Sequence, residues 1–261
     1  MKKQLLDVLF MSEKRKNVLL LLQDGMKETN TLLCSLETTR QALLPQIRIL
    51  EESKLVDHRD DTYELTTIGQ LVVEEMSALV DTVEVLDIDI AYWGERQLDF
   101  IPPDLFKRLN ELGSCKVFIP DMTELHEINK EFFEKSKESR RVTKVITFLY
   151  PNFPSIYSEW IASGLYISLI ISAELFEKIQ EDNYEEFRGY LNSGKMELFV
   201  YSGEIKFLSF GYNDHCASFK LLRKTGDYDS KELLCCNPGA VKWCRELCEY
   251  YKAKSTPITD I

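Results

Sequence analysis

Between residues 38 and 59 the sequence concentrates side chains that can donate hydrogen bonds to a nucleic acid. They are Thr38, Thr39, Arg40, Gln41, Gln46, Arg48, His58 and Arg59. Arginine neutralises phosphates, and arginine and glutamine reach the edges of bases, so this set suits the backbone and grooves of double-stranded DNA. We expect Arg40, Gln41 and Gln46 to contact bases or phosphates. Arg48 is expected to contact a phosphate, and His58 and Arg59 are expected to lie on a hairpin beside the groove.

Seven cysteines form the second set of reactive side chains. Their odd number, without a signal peptide, predicts reduced thiols in a cytoplasmic protein. Cys244 and Cys248 are spaced one helical turn apart, and Cys235 and Cys236 are a vicinal pair just before them. A thiolate beside a basic residue is reactive, so these four are candidates for a redox switch. The alternative is that they fill a core, as unpaired cysteines commonly do.

The sequence lacks the residue patterns of common catalytic sites. None of the three histidines has a lysine two residues later, which excludes the histidine nucleophile of phospholipase-type catalysis. Three histidines supply no metal trio and no ordered Ser-His-Asp set, and no glycine-rich phosphate loop is present. We therefore expect a protein that is not an enzyme and that holds neither a metal nor a cofactor.

The elements around the first polar set explain how it would be presented. A helix at Glu28–Leu33, a turn and a second helix from Arg40 to about Ser53 precede strands at Lys54–His58 and Tyr63–Thr66. A helix fits the major groove and a hairpin can reach the backbone beside it. This order predicts a winged helix-turn-helix.

The second of these helices has a recognisable start and a buried face. A threonine, Thr38 or Thr39, is placed to cap its first turn. Apolar residues spaced four and three apart predict the face that packs inward: Leu43, Ile47 and Leu50. Pro45 is expected to kink the helix or to shorten its regular part, because proline lacks the backbone N–H.

Charge and hydropathy limit the partners of the chain. The net charge is −11, and residues 1–80 hold ten basic against thirteen acidic residues, a balance of −3. Non-specific coating of nucleic acid is therefore excluded, and a dimer would help an acidic protein hold DNA. A long helix at Thr67–Leu86 offers an apolar seam for a homodimer, with packing on the first helix as the alternative: Ile68, Val72, Met76, Leu79, Val83 and Leu86. No apolar run is long enough to cross a membrane.

The second half alternates strand-like and helix-like segments. This alternation predicts an α/β domain with a mostly parallel sheet and antiparallel C-terminal strands, ending in a frayed segment at residues 255–261. We therefore expect two domains, residues 1–86 and 87–261.

Ligands of open α/β sheets bind beyond the carboxyl ends of the strands. Aromatic residues near those ends suit an apolar or planar effector: Tyr150, Phe153, Tyr157, Trp160 and Tyr201. The alternative is that these rings pack the sheet against its helices.

The segment LEESKLV followed by a polar turn and YELTTIG resembles winged-helix domains of the ArsR and MarR type. Over nearly the whole chain, the sequence resembles archaeal FilR-type regulators, whose larger domain is named from a methanogenesis regulatory protein. This resemblance is carried by IPPDLFKRLNELGSCKVFIPDMTELHE, by the loop at 151–155 and by RKTGDYDSKELLCCN. It implies an archaeal transcription factor. The element order of the second half is also similar to the phospholipase-D-like sensor half of archaeal sugar-responsive regulators.

Together these patterns predict a DNA-binding transcriptional regulator with a C-terminal domain that senses a ligand or binds a partner. In this interpretation an effector changes the spacing of two winged helices through the helix that joins the domains. Two alternatives remain: a winged-helix module that docks on the transcription machinery, and a cysteine-based redox-responsive regulator.

Overall fold

The computed structural model describes residues 4–121 and 127–259. By its internal contacts the chain divides into two compact units, Met1–Val80 and Asp81–Ile261. This division falls inside one long helix, slightly before the boundary expected after residue 86. None of the helices in the described ranges is long and apolar enough to cross a membrane.

The first unit combines helices with a small antiparallel sheet. Its elements are α1 (Leu5–Phe10), α2 (Glu13–Leu22), β1 (Lys27–Glu28), α3 (Thr29–Ser35), α4 (Arg40–Glu52), β2 (Val56–Arg59), β3 (Thr62–Leu65) and the first part of α5 (Thr67–Asp87). The strands lie in the order β1-β3-β2. The helix pair and the hairpin expected from the sequence are present, each within two residues of its predicted bounds. This is the element order of a winged helix-turn-helix.

Local chemistry sets the start and end of α4. The Thr39 hydroxyl accepts a hydrogen bond from the Ala42 N–H at 3.4 Å, so Thr39 is the cap. The helix ends at Glu52, and Lys54, two residues later, has a φ of 62° that allows the Leu55 N–H to donate to Leu50 O. Pro45 does not shorten the helix as expected, because α4 continues through it to Glu52. The three apolar residues predicted to face inward are buried in the core of this unit.

The junction between the hairpin and α5 requires a glycine. The Thr66 hydroxyl accepts from the Gly69 N–H at 2.9 Å and donates to Lys54 O at 2.7 Å. A Cβ at Gly69 would lie 2.0 Å from Leu55 O, so only glycine allows this close approach of helix and strand.

The second unit is an α/β domain around one large sheet. After the end of α5, its elements are α6 (Ile90–Glu95), α7 (Pro103–Phe106), a 3-10 turn (Leu109–Leu112), β4 (Cys115–Phe118), α8 (Lys130–Lys137), β5 (Arg141–Ile146), α9 (Phe153–Ala162), β6 (Tyr166–Ser172), α10 (Ala173–Asp182), α11 (Tyr184–Asn192), β7 (Met196–Tyr201), β8 (Ser209–Tyr212), β9 (Ala217–Lys220), β10 (Glu232–Cys235), α12 (Pro238–Lys252) and β11 (Thr256–Ile258).

The sheet has eight strands in the order β11-β7-β6-β5-β8-β9-β10-β4 and is mixed. The expectation of a mostly parallel sheet is wrong: of the strand pairs of this sheet in the described residues, β5–β6 and β6–β7 are parallel and the other five are antiparallel. Strand β4, expected among the parallel strands, instead lies antiparallel to β10 at one edge. The segment at 255–261 was expected to fray, but its described part forms β11 and pairs with β7 at the other edge.

Both faces of the sheet carry a hydrophobic core, because alternate residues of a strand point to opposite faces. One core contains Trp243 and Tyr251 of α12, whose polar ends donate to Leu105 O and Phe100 O. The other core contains Phe132 of α8 and Trp160 of α9. Neighbouring residues of β5 divide accordingly, with Val145 in the first core and Ile146 in the second.

Candidate functional sites

The exposed face of α4 presents two of the predicted DNA-contacting side chains. Gln41 and Arg48 are exposed and stand two helical turns apart, so they lie on the same side of the helix. This side is opposite the buried Leu43 and Leu50. Among the described residues, Arg48 has no carboxylate within 4 Å. The guanidinium of Arg48 is therefore available to an external anion.

Arg40, at the start of α4, is paired with the hairpin turn. Its guanidinium lies 3.9 Å from the Asp61 carboxylate, and both side chains are more than half exposed. Asp61 also accepts a hydrogen bond from the Thr29 hydroxyl at 2.6 Å. Asp61 thus joins the first residue of α3, the first residue of α4 and the hairpin.

The two basic residues of the hairpin also have acidic neighbours. His58 Nδ1 lies 3.8 Å from a Glu51 oxygen, and its ring stacks on Tyr63 with the ring centroids 4.5 Å apart. Arg59 lies 3.4 Å from Glu64. Exposed pairs of this kind contribute little to stability, so exchanging the carboxylate for a phosphate costs little.

Gln46 is placed differently from the other candidates. Its side-chain oxygen accepts from Arg15 Nη1 at 2.8 Å, and so is used within the domain. Arg15 is buried and also donates to Val8 O and Asp7 O, which ties α1, α2 and α4 together. No local pattern in the sequence indicates this role of Arg15, because it depends on contacts between residues that are distant in the chain.

The two threonines before α4 are in the turn that joins it to α3. Thr39 is exposed and caps α4, whereas Thr38 is half-buried. The turn is closed by Glu37, whose φ is 45°, and by a hydrogen bond from the Thr38 N–H to Leu33 O. Both hydroxyls lie at the helix start, beside Arg40 in sequence.

The cysteines correct the expectation of seven reduced thiols. Cys115 is bonded to Cys235, and Cys216 is bonded to Cys236. The reason is register: Cys115 and Cys235 lie opposite each other in the pair β4–β10, and the other two flank the pair β9–β10. Glu131 approaches Cys236 Sγ at 3.8 Å, but both sulfurs of that disulfide are oxidised and offer no thiolate to a metal.

The remaining two redox candidates, Cys244 and Cys248, are fully buried free thiols in the core beneath α12. Burial raises the pKa of the Cys248 thiol well above its usual range, with a further rise from its neighbour Cys244. A thiol in this setting is unreactive, which fits the alternative that these residues fill the core.

The five aromatic residues proposed for an effector do not form one site. Phe153, Tyr157 and Trp160 are buried in the core beside α9. Tyr201 packs against Tyr251 on the other core, with ring centroids 5.0 Å apart. Tyr150 borders a cavity of about 310 Å³ together with the buried Lys220. Tyr150, Tyr157 and Trp160 line a much smaller void beside the buried Lys144.

The buried charges near Tyr150 were not found from the sequence. Lys144, Lys220 and Glu232 come from three different strands and are each at most 4% exposed. In the sequence each looks like an ordinary strand residue. Only the order of the strands brings them to one face of the sheet.

Two family models match the chain in succession. The model described as "HVO_A0261 N-terminal domain" matches residues 4–87, and the model described as "Methanogenesis regulatory protein FilR1, middle domain" matches residues 125–254. The chain is 22% identical over 263 residues to the methanogenesis regulatory protein FilR1 of Methanothrix harundinacea (strain 6Ac). This similarity covers 95% of the chain and 57% of that protein, so the chain spans little more than half the relative's length.

Solved structures give weaker likenesses. TrmBL2, described as an archaeal chromatin protein with a novel mode of DNA binding, is 14% identical with a TM-score of 0.45, covering 94% of this chain and 93% of that one. The riboflavin-analogue dimethyltransferase RosA from Streptomyces davawensis is 14% identical with a TM-score of 0.24, covering 75% and 62%. Neither likeness carries an argument here. The two domain matches and the similarity to FilR1 confirm the resemblance seen in the sequence: over most of its length the chain is similar to FilR-type regulators.

Proposed function

We propose that the protein is a sequence-specific DNA-binding transcriptional regulator whose second unit receives a signal. The observation that carries this proposal is the exposed side of α4, where Gln41 and Arg48 lie on the same side of the helix, two turns apart, and Arg48 has no carboxylate within 4 Å among the described residues. Arginine and glutamine on a helix of this kind can contact phosphates and base edges in the major groove. The regulatory name of the FilR1 relative agrees with the proposal.

The proposal includes a homodimer, because a unit with a charge of −3 over residues 1–80 has little general attraction for DNA. Helix α5 supports this part of it. Ile68, Leu71 and Leu79 are 57%, 65% and 53% exposed. Exposed apolar patches commonly mark interaction sites, and a second copy of the chain would cover this stripe.

In the proposal, residues 1–86 bind DNA and residues 87–261 sense a ligand, with the phospholipase-D-like sensor halves as the fold-level analogy. Helix α5 contains residues of both units. A ligand that changes the conformation at the C-terminal end of α5 would therefore change the spacing of the two winged helices in the dimer. The proposal contains no catalytic step.

The test is a fluorescence-anisotropy titration of the full chain on DNA from its own upstream region, at two salt concentrations. We expect saturable binding that weakens steeply with salt. The double variant Gln41→Ala/Arg48→Ala should lose most of the affinity, whereas Arg188→Ala, which removes an exposed arginine of α11, should keep it. Equal binding to a random duplex at low salt, or full affinity of the double variant, would refute the proposal.

A second candidate is a winged-helix module that docks on the transcription machinery. It is favoured by the acidic neighbours of Arg40, His58 and Arg59, which reduce the positive potential around α4. This candidate predicts no salt-dependent DNA binding at all. The same titration therefore separates the two.

A further inference from the structure

One half of the large sheet has an unusually polar face. Register places Lys144 of β5 opposite Gly211 of β8, and Gly211 opposite Ser218 of β9. In the adjacent row, Ser209 of β8 lies opposite Lys220 of β9. Side chains two residues apart on a strand share a face, so these residues form one surface. We call this surface, with Glu232 of β10, the polar floor.

Gly211 makes room for the long side chain of Lys144. A Cβ on Gly211 would lie 2.8 Å from Lys144 Cγ and 2.4 Å from Thr143 O. Glycine weakens the interior of a strand, and in such a place it usually marks a close approach by another group. Here the groups that approach are the Thr143 carbonyl and the stem of Lys144, which lies over Gly211 of β8.

The charges of the polar floor do not balance. One Glu232 oxygen forms an ion pair with Lys220 Nζ at 3.2 Å, and the other accepts a hydrogen bond from the Ser218 hydroxyl at 2.6 Å, so both carboxylate oxygens have a partner. Lys144 Nζ has no carboxylate within 4 Å among the residues that the structure describes, and it lies 4.8 Å from the ring centroid of Phe132. Among the described residues, two buried cations therefore face one carboxylate, and the charge of Lys144 is not neutralised by a carboxylate. An isolated buried charge is costly, which points to an anion that is missing from the site.

Two tyrosine hydroxyls add unused hydrogen-bond donors. The hydroxyls of Tyr150 and Tyr228 are buried without a hydrogen-bond partner in the described part of the chain. Lys220 Nζ lies 5.6 Å from the ring centroid of Tyr150 and 6.0 Å from that of Tyr228. Lys144 Nζ is also 6.0 Å from the Tyr150 ring. Buried hydroxyls without partners are uncommon in native proteins, and both of these surround the charged groups.

A cavity of about 310 Å³ opens beside these groups and is bordered by Tyr150, Lys220 and Tyr228. The rest of its wall is mainly apolar and includes Phe148, Pro151 and Leu208. The volume is that of a small-molecule site with a few polar groups at one end. The adjoining cavity of about 410 Å³ is bordered by Lys220 and Glu232.

We propose that the second unit binds a small organic anion with a single carboxylate and an apolar or planar body. The carboxylate is held by Lys220 and accepts hydrogen bonds from the hydroxyls of Tyr150 and Tyr228, while the body lies against the apolar wall. Lys144 does not border this cavity, but its Nζ lies 6.0 Å from the centroid of the Tyr150 ring and contributes its positive charge at longer range. One negative charge matches the one unpaired positive charge, whereas a phosphate would bring nearly two. That this anion is the signal for DNA binding rests on the function proposed above, but its binding does not.

The test is isothermal titration of the full chain, without DNA, with benzoate, phenylacetate and octanoate. Benzamide, phenylacetamide and octanamide serve as uncharged counterparts of the same shape. We expect saturable binding of at least one carboxylate and binding of its amide at least ten-fold weaker. Absence of saturable binding by all three acids up to about 10 mM, or equal binding of acid and amide, would overturn the proposal.

Variants locate the binding. Lys144→Met and Tyr228→Phe should each weaken binding of the acid at least three-fold, the first by removing a nearby positive charge and the second by removing a hydrogen-bond donor of the cavity wall. The control Lys178→Met, an exposed lysine of α10, should not change it. Tyr228→Phe keeps the packing and removes only the hydroxyl, so it remains informative if Lys144→Met fails to fold. Unchanged affinity in a folded Lys144→Met or in Tyr228→Phe would overturn the assignment of the site.

The signal role is measured separately, by repeating the DNA titration with the bound acid present. A change in DNA affinity that Tyr228→Phe abolishes supports it. Binding of the acid without any effect on DNA affinity overturns the signal role and leaves the site standing. Failure of DNA binding alone would refute the proposed function and not the anion site.

Discussion

The α4 surface and the polar floor both bring positive side chains together, but in opposite surroundings. On the first unit, Arg40 and Arg59 are exposed beside exposed carboxylates. On the second unit, Lys144 and Lys220 are buried, and the buried Glu232 pairs with Lys220. Exposed ion pairs are screened by water and exchange partners readily, whereas buried charges depend on each other because breaking one pair leaves an uncompensated charge. The first surface therefore suits a polyanion that binds reversibly. The second suits a single ligand of defined charge.

The largest effect is expected where the buried pair is broken. Glu232→Gln leaves Lys220 without its carboxylate, and removing one partner of a buried pair typically costs about 3–5 kcal/mol. Urea unfolding at pH 7 measures the loss. The double variant Lys220→Met/Glu232→Leu, which removes both charges, should recover most of it. A Glu232→Gln protein within about 1 kcal/mol of the wild type would show that the pair is solvated.

A second effect of the buried charge depends on pH. Burial lowers the pKa of Lys144 from 10.5 to about 8, so between those values the unfolded chain binds more protons at this residue than the folded chain. The free energy of unfolding therefore rises as the pH increases from 8 to 10.5, by up to about 3 kcal/mol for this group. Below pH 8 the full penalty remains.

Lys144→Met removes this dependence. We expect the wild type to gain stability relative to Lys144→Met between pH 7 and pH 10, measured by urea unfolding at each pH. The tyrosines of the second unit are the same in both proteins, so their titration cancels in the difference. A difference that stays constant with pH would mean that Lys144 is solvated in the folded protein.

A smaller effect is expected on the exposed surface, and it should appear in binding and not in stability. Arg48→Ala should weaken DNA binding about ten-fold and reduce the slope of log affinity against log salt by about one, if Arg48 contacts a phosphate. Its free energy of unfolding should stay within about 0.5 kcal/mol of the wild type, because the side chain is exposed. An unchanged salt slope would place the phosphate contact elsewhere.

The two regions also differ in how far the sequence alone predicts them. Helix α4 and its hairpin follow from short-range signals: the Thr39 cap and the spacing of Leu43, Ile47 and Leu50. The polar floor depends on strand order. Antiparallel pairing of β4, β8, β9 and β10 brings Lys220 and Glu232 together, and no local pattern encodes that pairing.

The same reason explains the errors about the sheet and the cysteines. Alternating strands and helices predict parallel neighbouring strands, yet β4 lies at one edge of the sheet and pairs with β10 in an antiparallel arrangement. That pairing places Cys115 opposite Cys235, so a count of cysteines could not show that four of them are in disulfides. The prediction for Gln46 also missed a contact between distant residues, because its side-chain oxygen accepts a hydrogen bond from Arg15 of another helix.

The smallest expected effect tests whether acidic neighbours weaken the α4 surface. Asp61→Asn removes the carboxylate 3.9 Å from Arg40 but keeps an oxygen for the Thr29 hydroxyl. The released Arg40 and the loss of one negative charge should raise DNA affinity about two- to three-fold at low salt, and less at high salt, because exposed charges are screened. Anisotropy titration measures this, with Glu185→Gln on exposed α11 as the control for a general change of charge. If both variants raise the affinity equally, only the net charge matters. If neither variant raises it, Asp61 does not face the DNA, and the β2–β3 hairpin does not approach it.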